Sequence, residues 1–559
     1  MEKKQIWGSL DPYYEDGPVL GRKVANSGFL TTLLQQDPFD EYHFFIKDNN
    51  KIEYLRTALE QRFPQHVRNN KIKLLHRRDL IKYVKSVRYH CFHQSDCLTS
   101  MAELMQIRTL YSCHMFPITA PTHSLSDSDY GLKFSKLLTP AVKKNDRIIA
   151  TSQAGRTAAE NILSHLRQGY HLRSDQCPSP AVTTIPLGTS LPERPLYNID
   201  TLREELGLSS DRIYFLIFGR ISHFSKMDII PILRAFQRTF QINPELQKKI
   251  GLLISGFVTE GDDYPATIAQ LAENIGLDCH LVPSPDDELK QKLYSSADVF
   301  LSLADNPQET FGLTLLEAGA AGLPTIASDY SGYRDIIEPH TTGILIPTLG
   351  ANPQMYPETP NTIEELDALA PLLWDNHYYL MLAQRTAVSV PDLAEAIELF
   401  CKNEALRKDM GTKARRRIEE NFSWTKVIDQ HIALWDELQP MADNELKYND
   451  KDHSLQNPQT IPYSTLFQSY TTNVLQPGMM LERTATGDAV YRKKDFPLIY
   501  AGMEDLVTPE LIHKILFQFR TPKTLQEGLQ SMNTIPEEKS SFLILWAIKH
   551  DLLTPTQEA

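Results

Sequence analysis

The sequence predicts an α/β protein: two doubly wound parallel-sheet domains facing a cleft, followed by a small, mainly helical module. Three observations carry this reading. Short apolar runs alternate with amphipathic helical stretches from residue 1 to about 190. The alternation restarts at Ile213 and continues to Ile346. A polar stretch, 441–460, then sets off a tail of different pattern.

In the first domain Gln5–Ser9, Tyr42–Lys47, Ile72–Leu75, Val87–Phe92, Phe116–Ala120, Asp146–Ala150 and Val182–Pro186 read as strands. Val24–Gln35, Ile52–Phe63, Ser100–Leu110 and Gln153–Leu166 read as helices between them. The second domain repeats the scheme with strands Ile213–Phe218, Gly251–Ser255, His280–Pro283, Val299–Leu303, Pro324–Ser328 and Gly343–Ile346. Its helices include Met227–Phe240, Pro265–Ile275 and Asp287–Ser295. Ser284-Pro285-Asp286-Asp287 predicts a helix start: a cap, a proline in first position, then acids at the positive end of the dipole. These are two Rossmann-like domains, 1–195 and 205–421. Ligands of such sheets bind at the carboxyl ends of the strands, which makes the cleft the default site.

A Pro- and Asn-rich stretch at about 348–390 predicts an insertion in the second domain. Helices Pro391–Lys402, Glu404–Asn421 and Trp424–Leu438 follow, and 441–460 reads as a linker. In the tail, 461–559, Thr486-Gly487 predicts a hairpin turn. Thr508-Pro509-Glu510 caps one helix, and Thr524-Leu525-Gln526-Glu527 forms a capping box for another. With the apolar helix Ser540–Lys549 these make a winged-helix-like module. It has no dense basic face, which points to a protein partner or self-association rather than nucleic acid.

Composition narrows the function classes. The 559 residues hold 57 Lys plus Arg against 70 Asp plus Glu, a net charge of −13, which argues against a general nucleic-acid binder. No run approaches the roughly 18 apolar residues needed to span a bilayer. The N-terminus lacks an apolar signal core, and the six cysteines form no CxxC pair, so a reducing cytoplasm is expected. Neither GxGxxG nor GxxxxGK[ST] occurs, which removes support for a nicotinamide enzyme or a P-loop NTPase.

The chemistry concentrates in Asp305-Asn306-Pro307-Gln308-Glu309-Thr310-Phe311-Gly312-Leu313-Thr314-Leu315-Leu316-Glu317. A strand ends, a loop carries Glu309, and a helix opens near Phe311-Gly312-Leu313, where free amides make a phosphate site. Glu317 lies in the helix on the side of its first turn, in reach of a ribose. The following Gly319, Ala320, Ala321 and Gly322 are expected to let the helix pack closely on the sheet. Upstream, Phe218-Gly219-Arg220 closes a strand and Lys226 follows; a guanidinium fork and an ammonium suit a diphosphate leaving group. Downstream, Ser328-Asp329-Tyr330-Ser331-Gly332-Tyr333-Arg334-Asp335 follows another strand, with Gly332 allowing close backbone approach.

These residues resemble the family 4 glycosyltransferases of the two-Rossmann-domain, GT-B type, closely over 211–346 and loosely over 1–190. The resemblance implies a retaining, metal-independent transfer of a sugar, hexosyl in type, from a UDP- or GDP-sugar co-substrate to an acceptor that the sequence does not identify, with no cofactor. It assigns the catalytic roles to His123, Arg220, Lys226 and Glu309. Arg220 and Lys226 would bind donor phosphates, Glu309 the donor sugar, and His123, in Pro121-Thr122-His123, the sugar or its developing cationic centre. Donor binding would fall to Gly17, Gly21, Gly219, Phe311, Gly312, Leu313, Thr314, Glu317 and Gly332. It also implies that a return helix, 422–438, packs on the first domain. Three departures stand out: no adjacent glycine pair in Asp16–Arg22, six residues rather than five from Arg220 to Lys226, and Asp335 in place of Glu. Two alternatives share the fold: a catalytically idle partner subunit that binds acceptor or protein, and an epimerase acting on a nucleotide sugar.

Other signals carry less. Asp127-Ser128-Asp129 resembles a metal motif of the other glycosyltransferase fold but precedes a helix and reads as a cap, and His90 to Cys97 reads as a buried strand rather than a metal site. Asn421-Phe422-Ser423 matches a glycosylation acceptor by chance. Lys71–Arg88 holds seven cations against Asp79, a solvated helix face or a peripheral contact with an anionic membrane.

Overall fold

The computed structural model describes residues 4–15, 21–112, 114–127, 129–191, 198–259, 261–350, 369, 372, 376–440, 462–503, 506–533 and 535–556. The chain divides into two compact units, Met1–Gln459 and Thr460–Ala559.

The first unit contains two parallel sheets. One is built from β1 (Ile6–Ser9), β2 (Glu41–Ile46), β3 (Ile72–His76), β4 (Cys91–His93), β5 (Ile118–Pro121), β6 (Arg147–Ala150) and β7 (Ala181–Thr184), in the order β3-β2-β1-β4-β5-β6-β7. The other holds β8 (Ile213–Phe218), β9 (Ile250–Gly256), β10 (Asp278–Pro283), β11 (Val299–Ser302), β12 (Thr325–Ser328) and β13 (Gly343–Ile346), in the order β10-β9-β8-β11-β12-β13. Each sheet turns back on itself between its first strand and the strand paired on that strand's other side, at β1/β4 and at β8/β11. Central strands are apolar on both faces, as in the Tyr214–Ile217 run of β8, because helices cover both sides.

The last helix of this unit, Trp424–Leu438, packs on the first domain although it follows the second in sequence. Its Trp435 is fully buried beside Phe29, Phe39 and His93, and its indole N–H donates to Thr119 Oγ1 at 2.9 Å. Where the chain crosses back, Thr189 N–H donates to the Phe422 carbonyl (2.9 Å) and Trp424 N–H to the Thr189 carbonyl (3.3 Å). The two crossings between domains are therefore bonded to each other.

Several local expectations change. Val87–Phe92 yields a strand only from Cys91, since Tyr89 and the residues before it lead into the sheet. The cap before Asp287 is Asp286, which accepts from Leu289 N–H at 2.8 Å; Ser284 sits two residues upstream at φ 49°. Gly319 faces the helix Glu404–Asn421 rather than the sheet: a Cβ there would lie 2.6 Å from Ile418 Cγ1. The insertion at 348–390 is framed by an antiparallel ribbon, β14 (Thr348–Gly350) and β15 (Thr386–Val388), and carries the helix Asn376–Ala383; most of 351–375 lies outside the described residues, as does the whole 441–460 linker.

The basic run at 71–88 is not one helix face. It passes through β3, a tight turn at Arg77–Asp79 and the short helix Leu80–Val84. Three of its cations serve the protein interior. Lys71 pairs with Asp37 (2.6 Å), Lys73 with Glu41 (2.8 Å), and Arg77 donates to the carbonyls of Phe45 and Leu10.

The second unit forms a three-stranded antiparallel sheet, β16 (Met480–Arg483), β17 (Lys523–Thr524) and β18 (Leu553–Pro555), in the order β17-β16-β18, with helices packed on Leu481, Leu516, Phe519 and Leu543. Thr486-Gly487 is not a hairpin turn. It opens the helix Ala485–Tyr491, where Thr484 Oγ1 accepts from Gly487 N–H at 2.9 Å, and the missing Cβ lets Gly487 lie against the Leu552 carbonyl. Thr508 and the Thr524–Glu527 capping box start helices as their sequence indicates.

Candidate active site

The carboxyl ends of β8 and β11, at the turning point of the second sheet, are where charge gathers. β8 is followed by Gly219 at φ +150°, a conformation few side chains tolerate. A Cβ on Gly256, the last residue of β9, would lie 1.7 Å from the Gly219 carbonyl oxygen, so the two backbones pass in contact at the strand ends. In the loop after Gly219, Arg220 Nη1 donates to Ser225 Oγ (3.0 Å), which donates in turn to Ser222 Oγ (2.9 Å). The extra residue between Arg220 and Lys226 is absorbed locally: Lys226 N–H and Met227 N–H both donate to the Ser222 carbonyl, at 3.2 and 3.3 Å.

Lys226 meets Glu309 in a hydrogen-bonded ion pair whose side chains are 14% and 15% exposed. Burial by itself would push the Lys226 ammonium down; the Glu309 carboxylate and Tyr333 outweigh it and hold Lys226 above its ordinary value, as a cation. The other oxygen of Glu309 accepts from Phe311 N–H at 3.3 Å. Phe311 turns its ring into the core, leaving only its backbone toward the loop. Gly312 then stands before the helix Leu313–Ala321 at φ +116°, with no side-chain cap; a Cβ there would strike the Tyr333 ring at 2.6 Å. The first-turn amides of Leu313 and Thr314 have no partner inside the helix. Among the described residues the Thr314 hydroxyl, buried, also has none. Glu317, one turn on, accepts from Lys290 Nζ (2.7 Å) and from the Tyr294 hydroxyl (3.2 Å).

Behind this rim Asp305 is 4% exposed, accepts from Asp228 N–H at 3.1 Å, and leaves its second oxygen unpartnered among the described residues. Burial pushes its carboxyl up to about 7, with the Asp228 charge adding to the rise against the lowering effect of the Asp228 backbone bond. Asp305 heads the motif, yet its sequence gives no sign that the side chain turns inward.

The first domain faces this rim with a neutral histidine. His123 follows β5, and its Nε2 donates to the Ser95 carbonyl at 2.7 Å; burial pulls its pKa down, so Nδ1 carries a lone pair. Ser95 is held in turn by Asp11 Oδ2, which accepts from its N–H (2.8 Å) and its hydroxyl (3.0 Å). Gly21 begins the helix Gly21–Gln36, and a Cβ on it would sit 3.7 Å from Leu313 Cδ1. Gly17 lies outside the described residues.

Several bonds join the two domains. Thr310 Oγ1 donates to the His123 carbonyl (3.2 Å) and its carbonyl accepts from Ser152 Oγ (2.7 Å). Asp335, where the resembled family carries Glu, accepts from Gln153 N–H at 2.7 Å, at the start of the first-domain helix Gln153–Gly169. Its carboxylate thus serves the other domain. Gly332 contributes by shape: a Cβ would lie 2.5 Å from the Thr310 carbonyl. Tyr379, in the insertion helix, donates to Asp127 Oδ1 at 2.5 Å and accepts from Gln308, beside Glu309. Lys290, Tyr294 and Tyr379 carry no motif signal; their roles arise only where helices and insertion meet the rim.

Among the described residues no three His, Cys, Asp or Glu side chains gather as a metal site. His90 lies 3.0 Å from Asp436, His93 Nδ1 bonds Thr119 Oγ1 (2.8 Å), and Asp129 pairs with Lys133 (2.8 Å). Among the described residues no helix is long and apolar enough to cross a membrane.

Two parallel sheets with a polar rim at their facing strand ends define a two-domain GT-B fold. The N-terminal domain of trehalose-6-phosphate phosphatase from Candida albicans shares that fold: TM-score 0.50 at 12% identity, over 78% of this chain and 97% of that one. A family model described as glycosyl transferases group 1 matches residues 198–367. A D-inositol 3-phosphate glycosyltransferase from Saccharomonospora viridis is 28% identical over 171 residues, 30% of this chain and 39% of the relative. A GDP-mannose-dependent alpha-mannosyltransferase from Mycobacterium tuberculosis is 36% identical over 121 residues, 22% of this chain and 29% of the relative. The chain spans less than half the length of these curated relatives.

Proposed function

We propose that this protein is a glycosyltransferase that moves a sugar from a nucleoside-diphosphate sugar to an acceptor hydroxyl, with retention and without a bound metal. The observation that carries the reading is the cation pair after β8, Arg220 and Lys226, set beside Glu309 and the open amides of Leu313 and Thr314. A departing nucleoside diphosphate gathers negative charge as the sugar–oxygen bond breaks. Cations already held in place meet that charge without reorganising, and the helix start adds its positive dipole end. The donor loop match at 198–367 and a relative named for GDP-mannose support a UDP- or GDP-sugar as donor.

In this reading Glu309 holds donor-sugar hydroxyls, Glu317 the ribose, and His123 Nδ1 accepts from the sugar. The departing phosphate takes the proton of the acceptor hydroxyl as the new bond forms on the same face, so no protein carboxylate becomes covalently attached. The bonds through Thr310 and Asp335 support a closed cleft that excludes water from the donor. The protein acts in the cytoplasm. Contact with an anionic membrane would fall to Arg78 and Lys82, since their basic neighbours Lys71, Lys73 and Arg77 are engaged internally. Exposed Tyr463, Leu466, Tyr470, Phe496 and Leu498 support a protein partner for the tail.

The test is turnover of UDP-glucose, UDP-N-acetylglucosamine and GDP-mannose, followed by mass spectrometry. Release of free nucleotide that is lost in Lys226→Ala supports transfer. An isomerised donor with no free nucleotide contradicts it in favour of an epimerase, and no turnover of any donor contradicts it in favour of an idle subunit.

A further inference from the structure

The carboxylate of Glu317 does not stand alone. Lys290, from the helix Asp287–Ser296, donates to Oε1, and the hydroxyl of Tyr294, one turn further along the same helix, donates to Oε2. Tyr294 is 5% exposed and packs on Phe300 (ring centroids 5.8 Å, stacked) and Phe218 (5.3 Å), so its hydroxyl is fixed. The Lys290 ammonium lies 5.2 Å over the ring of Phe218, the last residue of β8. The Lys290 and Glu317 side chains are 29% and 23% exposed, so the pair is partly covered and still reaches the surface.

We infer that Lys290 is a specificity-determining residue of the nucleotide site, which reads the ribose diol together with Glu317, while Tyr294 positions that carboxylate. The inference rests on the donor site proposed above. A hydroxyl both donates and accepts; a carboxylate only accepts and an ammonium only donates. A Lys–Glu pair held side by side therefore satisfies both halves of a sugar hydroxyl, which neither residue does alone. After the Glu317 bond the ammonium keeps two N–H groups, and each Glu317 oxygen keeps an acceptor site beyond the one used by Lys290 or Tyr294. One turn of helix separates Glu317 from the amides of Leu313, about 5.4 Å along the axis, the right order of spacing for a ribose beside its phosphates. Removing the 2′-hydroxyl would leave both members of the pair short of a partner.

The test measures calorimetric binding of UDP, GDP and ADP, their 2′-deoxy counterparts and inorganic pyrophosphate to the wild type, Lys290→Met and Tyr294→Phe. Methionine keeps an unbranched stem over Phe218. Circular dichroism and thermal unfolding check that each variant folds. The expected result is a preference of about tenfold or more for the ribonucleotide in the wild type, falling to about threefold or less in Lys290→Met, because hydrogen bonds to charged groups are the strong ones. Pyrophosphate affinity should stay within about twofold, since the phosphate groups are unaltered. Tyr294→Phe should lower the preference less. A Lys290→Met protein that keeps the full preference overturns the inference and leaves the donor site standing. A wild type that binds none of these ribonucleotides overturns both.

Discussion

The two domains of the first unit share one architecture and furnish the ends of their sheets differently. After β8 and β11 the second domain sets Arg220, Lys226, Glu309, Lys290 and Glu317 around an open helix start. After β4 and β5 the first domain presents His123, held neutral by burial and tied to Ser95, with Asp11 behind it. On the proposed reading the difference follows from what each face would bind. A diphosphate is the same in every donor and rewards fixed cations, whereas sugars and acceptors reward polar groups that orient without imposing charge.

The comparison breaks first at its charged end. Lys226→Ala or Glu309→Ala should lower transfer by about 10²–10³-fold with the fold retained, since each removes preorganised charge stabilisation. Rates near wild type in both variants would show that the second domain is not the donor side. His123→Ala should cost less, about tenfold, because it removes one neutral hydrogen bond. A loss equal to that of Lys226→Ala would erase the contrast between the faces.

The bonds between the domains sharpen it further. Asp335→Ala deprives the start of the helix Gln153–Gly169 of its carboxylate, an interaction of about 0.3–1 kcal/mol. Donor hydrolysis relative to transfer should then rise by about two- to fivefold if closure excludes water. An unchanged ratio would mean that the bond is incidental to closure.

The smallest effect is on stability. The Asp305 carboxyl titrates near 7 in the fold against 3.8 in the unfolded chain, so the native state holds its proton more tightly. Stability from this group is therefore full below about pH 4 and is lost as pH rises through 7. Asp305→Asn keeps an oxygen for Asp228 N–H and has no charge to bury. It should be more stable than wild type at pH 8, by on the order of 1 kcal/mol or more, with the gain shrinking as pH falls and gone below about pH 4. Equal melting profiles across that range would contradict the buried carboxyl.

Much of this was legible in the sequence, and the boundary is physical. The strands Ile213–Phe218 and Gly343–Ile346 and the helices Glu404–Asn421 and Trp424–Leu438 follow from apolar periodicity and caps, and both parallel sheets from the alternation. The proximity of Lys226 and Glu309 follows from two loops at neighbouring strand ends. What stayed hidden depends on contacts between elements distant in sequence. Asp335 reads only as a substitute for the family's Glu until the first-domain helix is set beside it. Nothing in the sequence sets Lys290 apart within its helix; its bond to Glu317 appears only in the fold. Thr486-Gly487 reads as a turn because the pressure on Gly487 comes from Leu552, far along the chain.

The central claim, a nucleotide-sugar site built on the second sheet, is tested most directly by thermal unfolding with UDP, GDP and ADP in the wild type and in Lys226→Ala. Ligand at about 100 times its Kd should stabilise the wild type by about 2.7 kcal/mol, and the shift should vanish or shrink sharply in the variant. A wild type that melts at the same temperature with and without every nucleotide, or a variant that keeps the full shift, would contradict the account.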